Sequence, residues 1–218
     1  MLRLFVLMSM FVLFIGSGAQ ANRQDEIYSC QPHELATWGD GTDRPVKVNL
    51  LLLDYKKNDR SPFGEATVTG AIDRAARGWS ECGVPIRLAS RPEAGVTRLS
   101  RRVVIRWADR PISGIAIADT DRGELLLNAK VFETLLQKRS QAVAKETLQM
   151  VLSHELGHFL GMRAHSRRCV DVMSYYTSPS GEKCWLRDPE EFGRYLEYRH
   201  SLPTACDIAR CRALNAPR

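Results

Sequence analysis

The sequence predicts an α+β domain. Short apolar runs that suit strands and longer stretches with helical spacing follow one another as β-α-β-β-β-β-α-loop-α, and the composition suits one core. The 218 residues are 44% apolar, with 31 Lys and Arg against 25 Asp and Glu, which excludes a disordered, collagenous or polytopic membrane chain. A single core serves chains up to roughly 250 residues, and no repeat or low-complexity linker divides this one. The net charge of +6 favours acidic ligands weakly. Lys56-Lys57, Arg101-Arg102 and Arg167-Arg168 are pairs without the interleaved aromatics of a nucleic-acid groove, so no nucleic-acid partner is expected.

Residues 1–21 read as a secretory signal peptide. Arg3 precedes an apolar run over 4–15, and Ala19-Gln20-Ala21 is a small-x-small cleavage site. The run is too short to span a bilayer. Export to the medium, the periplasm or the cell surface follows, with no membrane contact after cleavage and a monomer as the expected state. Residues 22–45 are polar and turn-rich, an irregular N-terminal arm, and 46–218 form a single domain.

Residues 46–53 are apolar enough for a strand inside a sheet. Ser61-Pro62 marks a helix start, and Val68, Ala71, Ile72, Ala75, Ala76 and Trp79 then line one helical face until Gly83 and Pro85. Residues 86–88, 103–107, 114–118 and 125–127 read as further strands, the last two joined by an Asp- and Gly-containing turn. A long helix follows over 140–160, with Leu148, Leu152 and Leu156 at i+4 and Gly161 as its stop. Asp188-Pro189-Glu190-Glu191 carries the signature of a helix start, so a C-terminal helix is expected from there to residue 200.

All six cysteines (Cys30, Cys82, Cys169, Cys184, Cys206 and Cys211) follow the signal segment. An even number in an exported chain implies disulfides, with fifteen pairings open. Proximity favours Cys169–Cys184 and Cys206–Cys211, leaving Cys30–Cys82. A 169–184 bridge would contribute about 3 kcal/mol in the chain-entropy model.

Within the long helix stands His154-Glu155-Leu156-Gly157-His158. Histidines four apart project from one helical face, so both imidazoles can meet one metal ion. Glu155 lies one step round the helix, placed to act on a water as general base. Catalytic zinc takes three protein ligands and keeps a fourth position open. Gly161 and His165 follow, and then Val172-Met173-Ser174-Tyr175.

Residues 154–175 resemble the metzincin metallopeptidases, whose pattern is HExxHxxGxxH followed by a methionine-containing turn. The Tyr two places after Met173 is similar to that of astacins and serralysins, and the chain before the motif is closer to matrixins. The resemblance implies a twisted, mostly parallel sheet of about five strands, an edge strand over 113–118 at the cleft, an active-site helix and a C-terminal helix. It implies one catalytic Zn2+ held by His154, His158 and His165, with Glu155 and Tyr175 catalytic and Gly161 and Met173 structural. Tyr175 either reaches the site or forms ordinary wall beside Tyr176. An extended peptide or protein would be the substrate, bound by main-chain hydrogen bonds along the edge strand. The sequence departs from the family at one place. The third ligand's position is Ala164, and His165 sits one residue later. The expected arrangement is a bulged loop that delivers His165. A two-histidine site, or Glu182, Glu190 or Glu191 as third ligand, are the alternatives. The expected function is a secreted zinc endopeptidase, against a zinc-binding export domain with impaired catalysis or an amidase acting on cell-wall material.

Overall fold

A computed structural model describes residues 22–89, 100–178 and 180–216; the expected signal peptide at 1–21 lies outside them. Among these residues five strands form one sheet: β1 (Leu50–Lys56), β2 (Ile86–Leu88), β3 (Ser100–Trp107), β4 (Ala116–Asp119) and β5 (Glu124–Leu127), in the order β2-β1-β3-β5-β4. β1 pairs in parallel with β2 and β3, and β5 in parallel with β3. β4 runs antiparallel to β5 and forms the edge. The helices are α1 (Arg23–Tyr28), α2 (Glu65–Gly78), α3 (Ala129–Lys138), α4 (Gln141–Phe159) and α5 (Ala205–Asn215). The α+β class and the mostly parallel sheet match the sequence reading.

β1 lies between two parallel neighbours and buries Leu51, Leu52 and Leu53, as a parallel strand covered on both faces must. α2 turns Val68, Ala71, Ile72, Ala75 and Ala76 inward and packs on α4. There Trp79 Nε1 donates to the Ser153 carbonyl at 2.9 Å, so its one polar atom is satisfied in the core. Trp107, Phe132 and Phe63 close the end of the core with ring centroids 5.5 to 6.1 Å apart. Each such pair contributes about 0.5–1.5 kcal/mol beyond its buried area. α4 begins at Ser140, whose hydroxyl caps Val143 N–H. It buries Leu148, Leu152, Leu156 and Phe159, so the helix that carries the histidines is itself held in the core.

Four expectations need correction. Residues 188–200 are not a helix; they hold turns and one 3-10 turn, Phe192–Arg194. Asp188 does cap a turn, through Glu190 N–H. However, Gly193 weakens a helix by about 1 kcal/mol, and Tyr198 is buried against Ile27, Cys169 and Val170 instead. Tyr198 N–H donates to Tyr176 Oη, and Arg23 reaches the Tyr198 and Arg199 carbonyls. The C-terminal helix is α5, announced by the Thr204-x-x-Asp207 capping box. This displaces the cysteine pairing. Cys206 and Cys211 sit five apart on one helix, about 140° round its axis from each other, and cannot join. The bridges are Cys30–Cys206 and Cys82–Cys211, while Cys169–Cys184 is as expected. The first long helix starts at Glu65, after Gly64, because Ser61 Oγ bonds the Phe63 carbonyl and closes a turn over Pro62. Finally, the arm is not wholly irregular. It carries α1, opened by an Asn22–Asp25 capping box, and the 3-10 turn Pro32–Leu35. α3 was absent from the sequence reading, although Val131, Phe132, Leu135 and Leu136 recur at helical spacing.

Candidate metal centre

His154 and His158 stand one turn apart on α4, and the chain leaves that helix at Gly161. Gly161 has φ +92°, and a Cβ there would run into the Arg44 carbonyl. Only glycine permits that close pass of the arm. The loop then returns His165 beneath the other two rings, past the buried Ala164. The three ring centroids are 5.0, 5.1 and 5.2 Å apart, and one ligand atom from each lies within 4.8 Å of the others. This cluster can hold a metal ion. Among the described residues no glutamate joins it: Glu191 pairs with Arg194, and Glu182 faces Arg167 at 3.9 Å.

The second atoms of the rings decide what the first can do. His154 Nδ1 lies 2.7 Å from the Val172 carbonyl and His158 Nδ1 2.7 Å from the Met162 carbonyl. A carbonyl only accepts, so each Nδ1 carries the proton and each Nε2 keeps a free lone pair. His165 Nδ1 meets Asp40 Oδ2 at 2.6 Å. Its Nε2 is buried without a hydrogen-bond partner, which a metal ion would satisfy. Burial first, and then His158 and His165, holds His154 well below the usual histidine range. Burial and His165 push His158 down to about 4. In His165 burial outweighs the raising effect of Asp40. Neutral imidazoles with free Nε2 atoms are what a first-row metal binds.

Asp40 escaped the sequence reading, as did Asp43. Both lie in the arm and together brace the lengthened loop. Asp40 Oδ1 accepts His165 N–H at 3.0 Å, and Asp43 Oδ1 accepts Arg163 N–H at 2.9 Å and Ala164 N–H at 3.0 Å. Arg210 of α5 then pairs with Asp43 at 2.8 Å and bonds the Ala164 carbonyl. The extra residue is thus carried by backbone donors pinned to two carboxylates. The only local signal was the turn-rich run Trp38-Gly39-Asp40-Gly41-Thr42-Asp43, more than a hundred residues from its partners.

Beneath the rings Met173 is fully buried. A side chain at Gly157 would collide with its Sδ, so the helix lies directly on the methionine turn. Asp207 of α5 accepts Val172 N–H at 2.8 Å and fixes that turn from below. Tyr175 and Tyr176 diverge. The Tyr175 ring stacks on His165 with centroids 3.7 Å apart, while Tyr176 Oη bonds Glu197 on the far side. Tyr175 is therefore the one at the site, and its hydroxyl titrates above its usual range because of burial and the nearby Glu155.

Glu155 is half-buried and faces the Ala118 backbone N–H of β4. Burial raises its carboxyl to about 7, against the lowering effect of that N–H. A cavity of about 190 Å³ opens beside it, walled by Ile115, Met150, Val151, His154 and Tyr175, with Arg199 at its rim. The helix carboxylate and the sheet edge thus face one cleft. Among the described residues Cys30, Glu34 and Cys206 also cluster. The two sulfurs are bonded to each other and so offer no thiolate ligand. Asp109, Asp119 and Glu124, after β3 and around the β4–β5 turn, each face an arginine. No helix of the described residues is long and apolar enough to cross a membrane.

No protein-family profile and no curated protein matches this chain. Among solved structures, a chain of one described as the "GM1 bound form of the ECX AB5 holotoxin" aligns over 85% of this chain and 91% of its own length, at 13% identity and a TM-score of 0.49. At that level the likeness says nothing about activity.

Proposed function

We propose that this chain is a secreted zinc endopeptidase of the metzincin type, acting on extended polypeptides as a monomer. The observation that supports it most is the set of three neutral imidazoles. Each has its Nδ1 tied to an acceptor and its Nε2 free, and they sit beside a carboxylate that faces an open sheet edge. Zinc suits three nitrogen ligands with one open position, and when bound it supplies Lewis acidity toward a water and a carbonyl.

The chain's own residues do the rest. The free edge of β4 takes the substrate as an added strand, reading main chain more than side chains. The cavity at Ile115, Met150 and Val151 receives one side chain and sets the substrate's register. Glu155, poised near neutrality by its burial, accepts a proton from the attacking water and passes it to the leaving nitrogen. The Tyr175 hydroxyl donates to the carbonyl oxygen as negative charge develops there. Asp40 and Asp43 hold His165 in place throughout.

The test uses the chain after signal removal, an unfolded protein substrate and metal analysis. We expect about one zinc per chain, cleavage abolished by a chelator and restored by zinc, and a Glu155→Gln variant that keeps its zinc and fold. Its turnover should fall by about 10²–10⁴-fold. Equal turnover in that variant refutes the mechanism. Zinc binding without cleavage of any protein, but with hydrolysis of a cell-wall amide, would move the activity to an amidase. Zinc with neither activity would leave a binding module.

A further inference from the structure

A second concavity, of about 310 Å³, shares His158 with the metal centre and is ringed by Arg44, Lys47, Arg101 and Arg163. No acidic residue lines it. None of the four cations has an ion-pair partner among the described residues, whereas Arg102, Arg106, Arg122, Arg199 and Arg212 each face a carboxylate. The acids nearest in sequence are turned to other uses or lie outside the lining. Asp43, beside Arg44, is paired with Arg210, and Asp121 does not line the concavity. Arg44 is fixed there by its backbone, since its N–H donates to the Gly161 carbonyl at 3.0 Å. Four like charges gathered in one hollow repel one another, and an anionic ligand would relieve that repulsion.

The position of the hollow says what the ligand belongs to. Thr120, just past the end of β4, lines it, while Gly114, Ile115 and Ala116 line the side-chain cavity at the other end of the same strand. A polypeptide laid along β4 passes Glu155 at Ala118 and carries one flank over the basic hollow. At about 3.3 Å per residue, that flank lies roughly two to four residues from the bond at Glu155. A polysaccharide could fill the hollow but could not pair with the strand.

We propose that this basic concavity binds an acidic segment of the polypeptide substrate, roughly two to four residues from the scissile bond. What the segment belongs to rests on the peptidase reading; the binding itself needs no metal. The probe is a fluorescent peptide carrying three consecutive glutamates, titrated by anisotropy into the metal-free chain. Binding should weaken steeply between low and physiological salt. It should fall at least tenfold in Lys47→Glu/Arg101→Glu and stay unchanged in Lys138→Glu/Lys145→Glu, an equal charge change at exposed sites elsewhere. With the zinc-loaded chain, glutamates on one flank of the scissile bond should raise kcat/KM at least tenfold over lysines there. Equal losses in the two double variants overturn the proposal. So does capture of a sulfated polysaccharide without capture of the peptide. Selective peptide binding with no cleavage of any peptide supports the concavity's role and counts against the peptidase reading alone.

Discussion

Removing Asp40 isolates the contribution of the arm to the metal centre. Its carboxylate accepts two bonds from His165, one from Nδ1 at 2.6 Å and one from the backbone N–H at 3.0 Å. It thereby sets both the tautomer and the height of the ring. Asp40→Ala removes both acceptors and leaves His165 free to turn. Loss of such an outer partner lowers metal affinity by about 10–100-fold, which is about 1.4–2.7 kcal/mol. Asp40→Asn is expected to be at least as damaging. If its amide oxygen accepts the backbone N–H, its NH₂ faces Nδ1 and moves the imidazole proton to Nε2, the atom that must bind the ion. If the amide flips, NH₂ meets the N–H head-on. The assay is competition for zinc against a chromophoric chelator, with circular dichroism to show that each variant is folded and His165→Ala as the reference for losing the ligand itself. Wild-type affinity in both Asp40 variants would refute the inference that this carboxylate prepares His165.

Asp43 offers a pH test. Burial alone would raise its carboxyl, but Arg210 and two backbone donors outweigh it and hold the group below its usual value. A depressed folded pKa contributes stability in full above the unfolded pKa, and that contribution is lost as pH falls through the folded one. Asp43→Asn should therefore lower the urea midpoint at pH 7, with the gap to wild type closing below about pH 4; a gap that stays constant to pH 3 contradicts this. Gly157→Ala would press a methyl group on Met173 Sδ. Overpacking of this kind destabilises by about 1–3 kcal/mol, or roughly 2–12 °C in Tm for a chain of this size; an unchanged Tm argues against the close seat of α4 on the methionine turn.

The helix carrying His154, Glu155 and His158 was legible because its signals are local. Spacing along α4 fixes which side chains share a face, Ser140 caps its start, and Gly161 ends it. The strands were legible for the same reason, though their ends moved: the run expected over 46–53 pairs as Leu50–Lys56. Local signals also misled. Asp188-Pro189 caps a turn as its chemistry requires, and Phe192, Tyr195 and Leu196 follow at helical spacing, yet that stripe finds no core to pack on and stays largely exposed, and the chain instead lays Tyr198 against Tyr176 and Phe192. The Thr204-x-x-Asp207 box is an equally local signal, and it starts the C-terminal helix.

What depends on distant partners lay beyond a single sequence. Sequence alone determined the pair of histidines on one helical turn, the carboxylate beside them and the glycine that lets the chain turn back. Tertiary packing decided that His165 completes the set despite its extra residue, that Tyr175 and not Tyr176 faces it, and that Cys206 and Cys211 bridge to Cys30 and Cys82. The reason is geometric. Helical spacing constrains residues a few steps apart through fixed backbone dihedrals. The contact between Asp40 and His165 spans 125 positions, and exists only because α5, the arm and the loop after α4 are folded against one another.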